Sequence, residues 1–387
     1  MTVVAIDDTD SRERGMCTTY LAALIAERLG DVDRTLLVRL NPAVEHKTRG
    51  NAALAVHTGA DPDRSLAVVR DALDGAETAD PDTNPGAVVV PGDPGGVPER
   101  VADQAGSLIG ALAAAGAWRA GGEWTYECLA YRERPRWGTP REVNRESVFA
   151  AADRAYPDAW DTVDRTEGET VCVPHTPGPV LYGIRGEDPD TARAVADRIE
   201  SEPVARRRVF VTNQGTDAHL RAAALSDVRD GYAYRVEGTV ADPPETREGG
   251  HVFMGIREGD TRLRCAAFEP TKRFRDRVRA LRAGDRIIAC GEVGGGTLKL
   301  EKFAVRHLVT TERVTPACPD CGRSMESAGR GQGYRCRDCG THRDRAAERT
   351  LERDLEPGWY EVPPCARRHV SKPLVRGGFD APVHPER

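Results

Sequence analysis

Three carboxylates stand close together near the start of the chain: Asp7, Asp8 and Asp10 in "IDDTDS", followed by Gly15, Thr18 and Thr19 in "GMCTT". Carboxylates this close repel one another and raise their own pKa values unless a cation joins them. Magnesium suits when a phosphate shares the site, because it takes a few carboxylates together with phosphate oxygens and water. Gly15 and the helix start behind it would meet that phosphate with free N–H groups and a positive dipole end. Thr18 and Thr19 place hydroxyls at the same end. Helix capping by Asp10, Ser11 or Thr18 accounts for one of the aspartates but not for three.

A second group is Cys318, Cys321, Cys336 and Cys339, in "CPDCGRSMESAGRGQGYRCRDCG". Two C-x-x-C pairs, each followed by Gly, form two knuckles whose thiolates can meet around one tetrahedral zinc. The other six of the ten cysteines are scattered, and read as isolated thiols.

Further polar residues join the list with two readings each. Lys47 and Arg49 in "KTRGN" would neutralise phosphate charge or decorate a solvated turn. Asp164 lies before an expected strand, with Asp161 nearby. Asp217 in "TNQGTDAHL" either binds a second magnesium or caps a helix beginning near Ala218. These residues are assigned to nucleotide binding.

The elements that must hold them follow from periodicity. Residues 2–6 read as a buried strand, and residues 16–30 place Leu21, Leu24, Ile25 and Leu29 at helical spacing. The acidic loop therefore joins a strand end to a helix start. Helices are expected at 61–75 and 99–117, with strands between them, giving an α/β or α+β region. From Tyr232 the pattern becomes three strands, a helix and two strands. That is the order of an OB-fold, whose groove binds oligonucleotides. Phe253 and Phe268 are its candidate stacking residues, or fill the barrel. Arg257, Arg262, Arg264, Lys272 and Arg273 are its candidate phosphate contacts, joined by Arg367, Arg368 and Lys372 downstream. The expected domains are 1–230 for the catalytic region, 231–312 for the OB-fold, 313–343 for the zinc ribbon and 344–387 for a basic tail.

Charge is divided along the chain of 387 residues. Residues 1–250 carry 28 Lys and Arg against 42 Asp and Glu, whereas residues 251–387 carry 27 against 19. A basic half is the electrostatic footprint of a polyanion partner. Only five of the 55 basic residues are Lys, which fits a GC-rich coding bias or a saline cytoplasm. Apolar runs such as "LAALIA" are too short to span a bilayer, and no signal peptide is evident, so a cytoplasmic protein is expected.

The motifs "IDDTDS", "GMCTTYLA", "RLNPAVEHKTRGNAAL", "TNPGAVVV", "VPHTPGPVLYGIRGED", "TNQGTDAHL" and "VPPCARRHVSKPL", with the C-x-x-C pairs, occur in one order along the whole chain. Together they resemble the archaeal isoleucine-tRNA 2-agmatinylcytidine synthetase family. The resemblance implies a kinase-like catalytic domain, a ferredoxin-like domain, an OB-fold and a zinc ribbon. It implies a ligase that uses ATP, Mg2+ and Zn2+ to join agmatine to C2 of the wobble cytidine in the CAU anticodon of the minor isoleucine tRNA. In this reading Asp7, Asp8 and Asp10 hold magnesium and the triphosphate, and Thr18 matches the threonine that becomes phosphorylated. An RNA kinase that stops at phosphorylation, or a non-catalytic OB and zinc-ribbon binding protein, are the competing classes. Labelled agmatine entering tRNA separates them.

Overall fold

In the computed structural model the described residues are 1–11, 16–41, 43, 51–74, 76, 80, 83–92, 94 and 108–387. Gly15, Lys47 and Arg49 lie outside them. The first eight strands are β1 (Thr2–Asp7), β2 (Val32–Arg39), β3 (Ala52–Thr58), β4 (Gly86–Pro91), β5 (Thr125–Arg132), β6 (Ala159–Trp160), β7 (Val180–Gly186) and β8 (Val204–Thr212). They form one sheet in the order β4-β1-β3-β2-β8-β5-β7-β6. The expected catalytic region 1–230 is thus built on one continuous sheet. Its two halves meet where β2 and β8 run parallel, with Leu36 opposite Val211 and Leu37 opposite Thr212.

Strand alternation sends side chains to opposite faces, and each face has its own helices. On one face α1 (Thr18–Leu29) and α2 (Pro62–Leu73) cover Val4, Ile6, Leu37, Leu54, Leu129, Tyr131 and Phe210. On the other, α3 (Leu108–Ala120) covers Val3, Ala5, Leu36 and Ala53. Beyond the seam, α4 (Arg145–Ala155) and α5 (Pro189–Ala196) cover Cys128, Ala130 and Ile184. The helix expected at 99–117 is found at Leu108–Ala120, and residues 99–107 lie outside the described set. Among the described residues, no helix is long and apolar enough to cross a membrane.

The second large sheet is the expected barrel. Strand β9 (Leu220–Ala222) pairs beside β10 (Ala233–Thr246), which continues into β11 (Val252–Glu258) and β12 (Thr261–Ala267). The helix α6 (Phe274–Arg279) follows, then β13 (Arg286–Gly294) and β14 (Thr297–His307). Pairing of β12 with β14 closes the barrel around Val236, Ile256, Phe274, Ile287, Leu300 and Phe303.

The segment expected as a basic tail is instead built into the sheets. Strand β15 (Thr311–Val314) pairs with β19 (Ala347–Thr350), flanking a small sheet of β16 (Glu326–Ser327), β17 (Tyr334–Arg335) and β18 (His342–Arg343). Strand β20 (Gly358–Glu361) joins the barrel along β14, and β21 (Val383–His384) lies beside β20. Two of its arginines reach back to the first sheet, while Arg353 and Arg368 bind barrel carboxylates and Arg345 and Arg349 are exposed. Arg376 binds Glu187, and Arg367 is buried between Asp161 and Glu361.

Candidate active site

The acidic loop leaves β1 through Asp8, which has a left-handed backbone with φ 54°. This turn splits the three carboxylates rather than stacking them. Asp7 lies on the α3 face, where burial pushes its carboxyl up to about 7 against the help of the Asp8 N–H donated to its Oδ1 at 2.8 Å. Asp8 Oδ2 accepts the Asn84 N–H at 3.1 Å. Asp10 turns toward the α1 side, where Thr18 Oγ1 donates to its Oδ1 at 3.4 Å and accepts the Thr9 N–H at 3.3 Å. The "TNPG" segment braces the loop through Thr83 Oγ1, which donates to the Asp10 carbonyl at 2.7 Å. Among the described residues the three aspartates do not form a ready-made three-carboxylate cage; the one group of at least three ligating side chains within 4.8 Å is the cysteine set.

Asp10, Thr18 and Thr19 open onto a cavity of about 350 Å³ across the β2/β8 seam. Its far wall carries charges to which no role was assigned from sequence: Arg39 on β2 and Arg185 on β7, which lie inside quoted motifs, and Glu127 on β5 and Arg141, which do not. Glu127 is 5% exposed, its Oε1 is 3.6 Å from Arg185 Nε, and its Oε2 has no hydrogen-bond partner among the described residues. Gly183 makes room for it, since a Cβ there would stand 2.9 Å from Glu127 Oε1. Burial lowers the Arg39 pKa to about 10, with Glu127 opposing the fall, so this guanidinium stays charged at neutral pH. Arg141 donates to the carbonyls of Val180, Pro174 and Thr176 and so staples the proline-rich rim. A sequence signal for Glu127 did exist. It shares a strand face with Leu129 and Tyr131, and a carboxylate at an inward position of an apolar strand requires a partner.

Two expected nucleotide ligands are elsewhere. Asp164 is buried against Arg273, at 3.1 Å, and its carboxyl stays below the usual range despite burial because the Glu167 N–H, the Cys365 side chain and Arg273 favour the anion. Asp217 binds Lys302 Nζ at 2.7 Å and the Lys372 N–H at 2.7 Å, and no helix begins at Ala218. Both carboxylates brace the first sheet against the barrel.

The expected RNA contacts divide in the same way. Phe253 is half-buried, with Arg264 4.3 Å and Arg247 4.8 Å from its ring centroid, and Phe268 meets it edge-on at 6.1 Å. Arg257, Arg262 and Arg264 are exposed on the same strand pair, Arg262 near Asp242 at 3.2 Å. By contrast Arg273 and Arg367 are committed to internal carboxylates, Arg368 to Glu301 and Glu292, Lys372 to Glu123, and Lys272 is 3.8 Å from Glu167. The ribbon adds exposed arginines that sequence reading passed over, Arg323, Arg335, Arg337 and Arg343.

The four cysteine Sγ atoms pair off at 3.3, 3.4, 3.4 and 3.5 Å. Tetrahedral zinc with bonds of about 2.3 Å separates its sulfurs by about 3.8 Å, so small outward shifts seat the ion. The donor set fits zinc.

Comparison with known proteins then decides the family. Residues 3–71 match the model described as the TiaS TCKD domain, 106–219 the TiaS FLD domain and 315–355 the TiaS C-terminal zinc ribbon domain. The isoleucine-tRNA 2-agmatinylcytidine synthetase TiaS of Haloquadratum walsbyi is 49% identical over 100% of both chains. The chain belongs to the TiaS family. Among solved TiaS structures, the complex with the isoleucine tRNA and ATP superposes with a TM-score of 0.86 at 40% identity, covering 100% of this chain and 99% of that one. The complex of TiaS with the same tRNA, AMPCPP and agmatine gives 0.84 at 38% identity, with the same coverage. The TiaS assignment bears out the zinc ribbon and the β-barrel and places the seam cavity within a family solved with a nucleotide, an amine and a tRNA.

Proposed function

We propose that this chain joins agmatine to C2 of the wobble cytidine of the minor isoleucine tRNA, using ATP. The observation that carries the reading is the cavity at the seam, where Asp10 and Thr18 face Glu127 and Arg39 in a chain similar over its whole length to TiaS enzymes. We also read the order β5-α4-β6-β7-α5-β8 as a ferredoxin-like unit, because its strands lie in the order fourth, first, third, second within the sheet. The part preceding it is the kinase-like unit.

Cytosine O2 is a poor leaving group, so an amine cannot displace it unaided. Transfer of a phosphoryl group to O2 makes C2 electrophilic and gives phosphate as the leaving group. Agmatine's primary amine then attacks C2, the C2–O2 bond breaks with phosphate, and the amine loses a proton. A site for such transfer needs charge placed in advance more than a strong nucleophile. Asp7, Asp8 and Asp10 would hold Mg2+, which supplies charge neutralisation to a bound triphosphate; the raised pKa of Asp7 marks a buried carboxylate that a cation would relieve. Thr18 is the hydroxyl at the loop for transient phosphorylation, Thr19 lines the same cavity, and Gly15, Lys47 and Arg49, outside the described residues, are further candidates for binding the nucleotide. Arg39 faces the phosphates from the seam. Glu127 is the anion for agmatine's guanidinium: its Oε2, without a hydrogen-bond partner among the described residues, is buried in a cavity that Leu37, Leu54 and Pro179 line together with Arg39 and Arg185. The Phe253 platform and its arginines take tRNA bases and phosphates.

Incubation with ATP, the minor isoleucine tRNA and labelled agmatine tests this. Label in the tRNA, mapped to the wobble cytidine, supports the reading. Phosphate entering RNA without agmatine would point to a kinase, and binding with neither to a scaffold.

A further inference from the structure

The two halves of the first sheet share only two residue pairs of main-chain ladder, ending at Leu37 and Thr212. One residue further a side chain takes over. Asn213 Oδ1 accepts the Arg39 N–H at 2.8 Å, and Asn213 Nδ2 donates to the Arg39 carbonyl at 3.0 Å. An amide side chain thereby gives Arg39 the two bonds that a neighbouring strand residue would give. The next residue holds the side chain of the same arginine: Gln214 Oε1 accepts Arg39 Nε at 2.8 Å.

The main chain that carries both amides is itself fixed, although Gln214 Nε2 is buried without a hydrogen-bond partner among the described residues. Gln214 is 2% exposed, its N–H is accepted by Thr212 Oγ1 at 3.1 Å, and its carbonyl accepts Thr125 Oγ1 at 2.7 Å. The Asn213 carbonyl accepts Thr216 Oγ1 at 2.7 Å. Such closure of a turn on its own hydroxyls fixes the backbone from which the clamp projects. Arg39 is the last residue of β2 and lines the cavity beside Asp10, Thr18 and Glu127. Without the clamp, nothing in the main-chain ladder continues past Leu37 to hold it against β8.

We propose that Asn213 is a positioning residue. Through the main chain of Arg39 it fixes that guanidinium in the cavity, so that the ferredoxin-like half sets the place of a phosphate-facing cation carried by the other half. The inference rests on the proposed activity for its readout.

The test measures steady-state transfer of labelled agmatine by the full chain. In Asn213→Ala, kcat falls tenfold or more, while KM for tRNA and zinc content stay at wild-type values. Asn213→Asp keeps an acceptor for the Arg39 N–H and loses the donor to its carbonyl, so its loss is smaller. In an Arg39→Ala background, adding Asn213→Ala changes kcat less than twofold, because both changes remove one effect. A melting curve accompanies each variant, and if Asn213→Ala melts below the assay temperature the aspartate variant and the same cycle built on it carry the decision. An Asn213→Ala enzyme within twofold of wild type, or losses that multiply in the double variant, overturns the inference alone. Wild-type protein that transfers no label overturns the proposed function and the inference together.

Discussion

Helix α3 sets Gly110 directly against the carboxylate of Asp7: a Cβ added to Gly110 would stand 1.8 Å from Asp7 Oδ2 and 2.6 Å from its Cγ. The carboxylate therefore occupies the volume that any other residue at position 110 would claim. This contact contributes to the burial of Asp7, and burial is the main cause of its raised pKa.

Gly110→Ala is expected to push Asp7 or α3 aside. Overpacking of this kind costs about 1–3 kcal/mol. Denaturant titration should show that loss, and ATP turnover should drop more than tenfold, because the displaced group is the first carboxylate of the acidic loop. Normal turnover would separate Asp7 from the reaction.

The raised pKa of Asp7 has a defined sign for stability. Its folded value of about 7 lies above the ordinary 3.8, so the folded state binds more protons between those limits and stability falls as pH rises through that window. Below about pH 4 the penalty is absent, and above about 7 it is complete, with a ceiling on the order of 4 kcal/mol. Asp7→Asn should thus melt higher than wild type at pH 8 without added magnesium, melt alike at pH 4, and fail to turn over ATP. Equal melting at both pH values would contradict the buried anion.

Glu127→Gln keeps the shape of the cavity wall and removes its charge. KM for agmatine should rise tenfold or more, since hydrogen bonds to a charged group contribute about 1.5–3 kcal/mol. KM for ATP should stay within twofold. A neutral amine of similar length should lose less than agmatine does in the variant.

Cys336→Ser removes one thiolate from a module with few apolar residues inside it, chiefly Met325 and Tyr334 beside the cysteines. Zinc content should fall and tRNA affinity with it, because metal binding is the folding energy of such a ribbon. Nucleotide binding in the first sheet should persist. Metal analysis and filter binding decide.

On the barrel, Phe253→Ala should weaken tRNA binding by about 1–3 kcal/mol, the worth of one base stacked on an aromatic ring. Arg264→Gln should instead lower the slope of log affinity against log salt by about one. If neither changes, the ring and its two arginines serve only the barrel surface.

Local features of this molecule were legible where one short segment contains its own explanation. The four cysteines announce their site because the knuckles are local, and the barrel strands announce themselves by alternation. Asp164, Asp217 and Arg367 misled for the opposite reason. A charged residue in a polar stretch reads as a ligand, yet its partner here lies far along the chain: Lys302 for Asp217, Arg273 for Asp164, Asp161 for Arg367. The cavity was hidden likewise, since Arg39, Glu127 and Arg185 come from three strands whose adjacency only the shared sheet reveals.

The ionic contacts between the first sheet and the last strands also carry a timetable. Glu187 binds Arg376, 189 residues downstream, and Asp161 binds Arg367, 206 residues downstream. At a synthesis rate of about 5–20 residues per second, those carboxylates wait roughly ten to forty seconds for their partners. A finished first sheet must therefore keep its docking face hydrated on the ribosome, and a face lined with Glu and Asp, rather than with Leu and Val, can stand exposed for that interval without sticking to its neighbours.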